Sequence, residues 1–223
     1  MIPSQIAEVQ TYPHIRGLCT RTLDLYIADL RSMLQLPFKI RQETDLPPGT
    51  LLIDMEGGCN FASCTLVLDV ISGLSVCLYF RRNLIGLETS RDRGDRFKEF
   101  LESYYPWEYE FLDKRQVSDI LWQLLRNPLV HALGILPFTG LSQSINRAQI
   151  NKSALSLEQV LELENIARPH WLSSTFELVN STFHVNVPPL YWGLHKLFRN
   201  LFSDTNQMCL IETWFENQAT RSP

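Results

Sequence analysis

FASCTLVLDVISGLSVCLYF, residues 61–80, is the stretch on which the fold turns. It is an apolar run long enough to span a bilayer, and Arg81 and Arg82 follow it as flanking cations would. Against a membrane span, Asp69 stands near its centre, and Ser63, Thr65, Ser72 and Ser75 are spread along it. A carboxylate at the middle of a membrane helix costs about 2.5–3.5 kcal/mol on insertion scales, and the hydroxyls add to this. A helix buried in the middle of a soluble bundle carries the same residues at lower cost. The expectation is therefore a core helix over 61–80 and no membrane.

Working outward, the segments on either side carry helical periodicity. Leu18, Leu23, Ile27, Leu30 and Leu34 recur mostly at three- and four-residue steps and predict a helix within 15–36, ended by Pro37. Leu46-Pro47-Pro48-Gly49 reads as a turn, Leu51-Leu52-Ile53 as a short extended piece and Glu56-Gly57-Gly58-Cys59-Asn60 as a loop. Beyond the core helix, Phe97, Phe100, Leu101, Tyr104 and Tyr105 form one apolar face ended by Pro106. Val117, Ile120, Leu121, Leu124 and Leu125 repeat the pattern. Residues 137–156 are polar, rich in Ser and Asn, and read as a loop. Ser156 with Gln159 has the form of a capping box opening a helix to about Ala167, before Pro169. Thr182 to Val187 alternates as a strand does, and Pro188-Pro189 opens a last helix with Leu190, Leu194, Leu197, Phe198 and Leu201 on its apolar side. The chain is thus expected to be mainly α, a bundle of four to five helices with a small β excursion near the C-terminus. It reads as a single domain over 1–223: a core bundle at about 15–136, a polar insertion at about 137–180, and a strand and C-terminal helix at about 181–203.

Composition narrows the function more by exclusion than by assertion. With 223 residues, 45% of them hydrophobic, the chain can bury a sizeable core. A formal net charge of -4 gives no electrostatic footprint for duplex nucleic acid, but it is compatible with a short single strand held in a local basic patch. The cationic run that offers such a patch is Arg81, Arg82, Arg91, Arg93, Arg96 and Lys98, interleaved with Asp92 and Asp95 as a solvated loop would be. Cys19, Cys59, Cys64, Cys77 and Cys209 are odd in number and scattered, and read as reduced core thiols. Cys59 and Cys64 lack a second pair at ligand spacing, and His14, His170, His184 and His195 do not cluster, so no metal is expected. No glycine-rich loop points to a nucleotide cofactor. Met1 to Gln5 has no basic segment leading into an apolar one, so the expectation is a cytoplasmic protein.

One segment carries chemistry. LLRNPLVH, residues 124–131, sets Arg126, Asn127 and His131 at the end of an amphipathic helical run. Arginine clamps a phosphate through a planar fork of donors, and histidine moves a proton near neutral pH. A phosphodiester substrate asks for that pair. On an undistorted helix Asn127 and His131 share a face while Arg126 and His131 stand about 140° apart. For Arg126 to join them, Pro128 must distort the helix or a second subunit must supply the missing group. The competing structural reading has Arg126 bonding terminal helix carbonyls and His131 satisfied in the core.

With these residues in place, the segment resembles the signature of the HEPN superfamily, an Arg, a following polar residue and a His four to six residues after the Arg. The apolar helix with Asp69, the helix in DRFKEFLESYYP and the strand-to-helix piece FHVNVPPLYWGLHKLF are similar to what surrounds the motif in a HEPN-like helical bundle. The resemblance implies a metal-independent endoribonuclease, needing no cofactor, with a composite site where the motif helices of a homodimer meet. In that family the His transfers the proton for attack of the ribose 2′-hydroxyl, the Arg stabilises phosphoryl charge and the polar residue orients them; here these are His131, Arg126 and Asn127. It also implies single-stranded RNA as substrate, a toxin, defence or RNA-processing role, and pairing in some members with a nucleotidyltransferase-type antitoxin. The alternative is a non-catalytic HEPN-like module that dimerises through the same helix.

Overall fold

Helix α3, Asn60–Cys77, is the hub on which the other elements pack, and it turns half of its length of side chains inward. The computed structural model describes residues 2–35, 60–79, 90–126, 147–151, 154–165 and 167–219. Among these, α3 is the helix long and apolar enough to cross a membrane, and 50% of that window is buried inside the protein. Ser63, Cys64, Val67, Leu68, Val70, Ile71 and Leu74 are all buried, whereas Asp69 is only partly so. Of the hydroxyls that argued against lipid, Ser75 is accommodated locally, donating to the Ser72 carbonyl at 2.7 Å.

The first helical run is continuous but not uniform. It consists of α1 (Pro13–Leu18), a π-helical segment (Cys19–Leu23) and α2 (Asp24–Gln35). Its start is fastened from far away in sequence. Pro13 has no N–H to satisfy, and the amides of His14 and Ile15 donate to the Glu212 carboxylate at 2.8 and 3.1 Å. Ile15, Leu23, Ile27, Leu30 and Leu34 are buried, the face expected from the periodicity.

Helices α4 (Ser90–Tyr104) and α5 (Lys114–Ile120) lie antiparallel. Asp113 caps α5 by accepting from the amides of Arg115 and Gln116, each at 3.0 Å. The register is pinned by Lys98, which bridges Asp95 at 3.1 Å and Asp119 at 2.9 Å, and by Arg115 beside Glu102 at 3.8 Å. From Leu121 the helix widens into a second π-helical segment, Leu121–Arg126.

The C-terminal third corrects the sequence expectation. A three-stranded sheet of order β1-β3-β2 is built from β1 (Arg147–Asn151), β2 (Phe176–Val179) and β3 (Thr182–Asn186). Two of its strands come from 137–180, which reads as a polar insertion. β1 runs parallel to β3 with Ala148 opposite Phe183 and Ile150 opposite Val185, and β2 runs antiparallel to β3. Asn180 and Ser181, with φ of 47° and 61°, make the two-residue turn whose left-handed backbone matches strand twist. RAQIN offers only two apolar positions, and its pairing partner is 35 residues away, so local periodicity does not reveal it.

Helix α6 (Leu157–Leu163) has the expected capping box: Gln159 N–H donates to Ser156 Oγ at 3.2 Å and Ser156 N–H to Gln159 Oε1 at 3.0 Å. It ends at Leu163 rather than near Ala167, because Glu164 turns into the interior. Helix α7 (Val187–Phe202) is buried along most of its length, and Pro188 and Pro189 remove two amides that its first turn would leave unpaired. A further helix, α8 (Thr205–Ala219), lies beyond the last one expected. Asp204 opens it, accepting from Gln207 N–H at 3.1 Å and from the Tyr104 hydroxyl at 2.8 Å.

Gly193 is where α7 makes its closest approach. A Cβ there would sit 2.5 Å from Tyr105 Cε2, and that ring is held by its hydroxyl on Thr175 Oγ1 at 2.7 Å. Gly193→Ala is expected to lose about 1–3 kcal/mol in urea denaturation through overpacking. An unchanged midpoint would mean that the Tyr105 ring swings aside at no cost.

Candidate functional site at the end of the α4 and α5 pair

Arg126 is the last residue of the second π-helical segment. Its side chain, together with Asn127, Pro128 and His131, lies outside the described residues, so the structure places the backbone of Arg126 and not the triad. The neighbourhood of that backbone is well defined. The pairs Glu102–Arg115 and Lys98–Asp119 set the antiparallel register, and a Cβ on Gly94 would lie 2.7 Å from Trp122 Nε1. Continuing the register one turn places Arg126 level with the first turn of α4. Val117, Ile120, Leu121 and Leu125 bury the seam that holds this end of the helix.

The distortion expected at Pro128 lies outside the described residues, and the helix before it is π-helical from Leu121 to Arg126. A proline cannot donate to the carbonyl one α-turn before it, and a π turn moves each carbonyl's partner on by one residue.

The cationic run divides once the fold is known. Arg81 and Arg82 and the side chain of Arg91 lie outside the described residues. Arg96 is only 8% exposed and close enough to Cys77 to lower its thiol pKa, against a stronger upward push from burial. Lys98 is engaged by its two aspartates. Arg93 is exposed and has no ion pair among the described residues.

The other titratable candidates resolve into structural roles. His14 Nδ1 is 2.8 Å from Glu212, and His184 Nδ1 is 3.3 Å from Asn151 Nδ2. Cys19 and Cys64 are core thiols, each pushed up to about 12 by burial. Cys77 and Cys209 correct the expectation of core thiols, since both reach the surface; Cys59 lies outside the described residues. Among the described residues no three His, Cys, Asp or Glu side chains gather as a metal site would require.

A polar cluster that periodicity does not predict lies between α2, α6 and α7. The Glu164 carboxylate accepts Arg31 Nε at 2.5 Å, Arg31 Nη2 at 2.6 Å and the Tyr191 hydroxyl at 2.7 Å. Burial pushes the Glu164 pKa up, but hydrogen bonds to the carboxylate, that of Arg31 the strongest and that of Tyr191 among them, hold it at about 2. One turn along α7, His195 is 1% exposed, meets the Tyr191 ring edge-on at 4.6 Å, and has no hydrogen-bond partner on either nitrogen. Burial drives its pKa down to about 3, so it is neutral. The partners stand 133 and 27 residues apart along the chain, which leaves no local signal.

The fold defines a mainly helical protein with a small mixed sheet. Comparison with the profiles of known families, with curated proteins and with solved structures finds no match for this chain.

Proposed function

We propose that this chain is a HEPN-like, metal-independent endoribonuclease that acts on single-stranded RNA as a cytoplasmic homodimer. The observation that carries the reading is the π-helical widening that ends on Arg126, level with the first turn of α4, where Arg93 is exposed. Such single-turn widenings recur at functional positions, and an arginine carries the planar fork of donors that a phosphodiester asks for. In this mechanism His131 accepts the ribose 2′-hydroxyl proton as that oxygen attacks the adjacent phosphorus. The bond to the 5′-oxygen breaks, leaving a cyclic phosphate and a 5′-hydroxyl. Arg126 stabilises the charge on the phosphoryl oxygens, and Asn127 orients His131 or the phosphate. A toxin, defence or RNA-processing role, with a nucleotidyltransferase-type antitoxin as partner, belongs to the same reading.

The alternative is a non-catalytic HEPN-like module that dimerises through the motif helix. RNA cleavage by the purified protein in excess EDTA separates the two. The expected result is cyclic-phosphate ends from wild type and a loss of about 10²–10⁴-fold in His131→Ala, with Arg126→Ala similarly impaired and all three equally folded. No cleavage by a folded, dimeric wild type across a mixed RNA pool moves the assignment to the module.

A further inference from the structure

Three groups in the described fold are not absorbed by the reading above: the buried Arg31, Glu164 and Tyr191 cluster with His195, the polar face of the sheet, and the surface where α4 meets the second π-helical segment. In the first, Arg31 and Tyr191 are spent on Glu164, and His195 is buried at 1% exposure. On the second, Asn186 joins Asn151 and Glu177 while Asn151 also reaches His184, a network that spends its donors within the sheet. The third is open.

There, Gly94 and Phe97 are three residues apart on α4, and both face Trp122. The indole Nε1 edge lies against Gly94, and the Trp122 and Phe97 ring centroids are 5.2 Å apart at 41°. Arg93 precedes Phe97 by one turn and so shares that face. Trp122 precedes Arg126 by four residues in the π-helical segment. An exposed guanidinium, a partly buried indole and the backbone of the motif arginine thus lie along one seam. The other described cations of α4 are withdrawn from it, Arg96 by burial and Lys98 by Asp95 and Asp119.

We infer that Arg93 and Trp122 form a single-stranded RNA subsite adjoining Arg126, with Arg93 on a backbone phosphate and the Trp122 indole against a base. This rests on the ribonuclease reading for its substrate. The pairing of a cation with a stacking aromatic is what sequence-tolerant single-strand binding uses, because every base has a π-face and every linkage a charge. It also reconciles a net charge of -4 with an anionic substrate, because the attraction is local.

The test is fluorescence anisotropy with a labelled 2′-O-methyl oligoribonucleotide of mixed sequence, which lacks the attacking hydroxyl, titrated with the full chain at several salt concentrations. Arg93→Gln is expected to weaken binding several-fold and to reduce the slope of log affinity against log salt by about one. Trp122→Leu is expected to cost about tenfold or more. Trp122→Phe, which keeps a stacking ring in a smaller volume, is expected to recover most of that. Cleavage of unmodified RNA is followed alongside, with KM rising and kcat little changed in the Arg93 variant. Wild-type binding that is absent, or that both Arg93→Gln and Trp122→Phe/Leu leave unchanged, overturns the subsite. Binding that behaves as expected in a protein that never cleaves overturns the catalytic reading and leaves the subsite standing. Cleavage that both variants leave untouched does the reverse.

Discussion

Stability is expected to fall as pH drops from about 6.5 towards 3, with the first part of the loss belonging to His195. The ordinary histidine value is 6.5 and burial lowers His195 to about 3, so the unfolded chain holds this proton more tightly than the folded one. The contribution is fully present above pH 6.5 and is lost progressively as pH falls through that window, on the order of 4 kcal/mol in all. Glu164 follows at lower pH. Its folded value of about 2 lies below the ordinary 4.5, so its contribution is present above 4.5 and disappears between 4.5 and 2. Glu110 works in the opposite direction, because burial raises its carboxyl even though it accepts from the amides of Thr175 and Phe176. The separation of windows makes His195 testable by itself. Urea denaturation between pH 7 and 4.5 is expected to show a steep loss in wild type and a much flatter one in His195→Phe. That variant keeps an aromatic ring against Tyr191 and Phe198 and removes two buried nitrogens without partners, so at pH 7 it is expected to be neutral or stabilising. Equal slopes in the two proteins would sink the idea.

The second large effect is expected at Glu164. Replacing it by Gln keeps the shape but removes the charge that the Arg31 guanidinium and the Tyr191 hydroxyl are aimed at. Breaking one side of a buried pair costs about 3–5 kcal/mol, and the lower end applies because the Arg31 side chain retains 27% exposure while that of Glu164 has 4%. Replacing both Arg31 and Glu164 by Leu is expected to recover a substantial part, since no uncompensated charge is then left inside. A Glu164→Gln protein within 0.5 kcal/mol of wild type would show that Arg31 finds water instead. Tyr191→Phe, which loses one hydrogen bond, is expected to cost about 1 kcal/mol. Because Arg31 and Glu164 tie α2 to the end of α6 and to α7, loss of the pair should also open the Leu155 amide on the Leu34 carbonyl, read as faster hydrogen exchange.

The legibility of the chain follows the range of its interactions. Helices α2, α4, α5 and α7 declare themselves through apolar periodicity and α3 through an unbroken apolar run, and residues such as Ile27, Phe100 and Leu194 are buried as their spacing implies. The capping box at Ser156 and the proline pair at 188 and 189 are equally local. Chemistry and spacing alone mark Arg126, Asn127 and His131, and the place of the Arg126 backbone emerges only from the register between α4 and α5, which depends on Lys98, Asp119 and the missing side chain at Gly94. The π widening from Leu121 has no marker in the sequence beyond Pro128 several residues on.

What the sequence by itself determined is the helical class of the protein, the interior place of α3 and the residue types available for phosphate chemistry. Those follow from composition and from periods of three to four residues, which any short window contains. The tertiary structure alone decided that β1 pairs in parallel with β3 across 35 positions, that Glu212 fastens the amides of His14 and Ile15, and that Arg31 meets Glu164 beside a neutral His195. Each of these is a contact between residues far apart in the chain. Its energy exists only once the intervening chain entropy has been overcome by packing, and no local pattern encodes it.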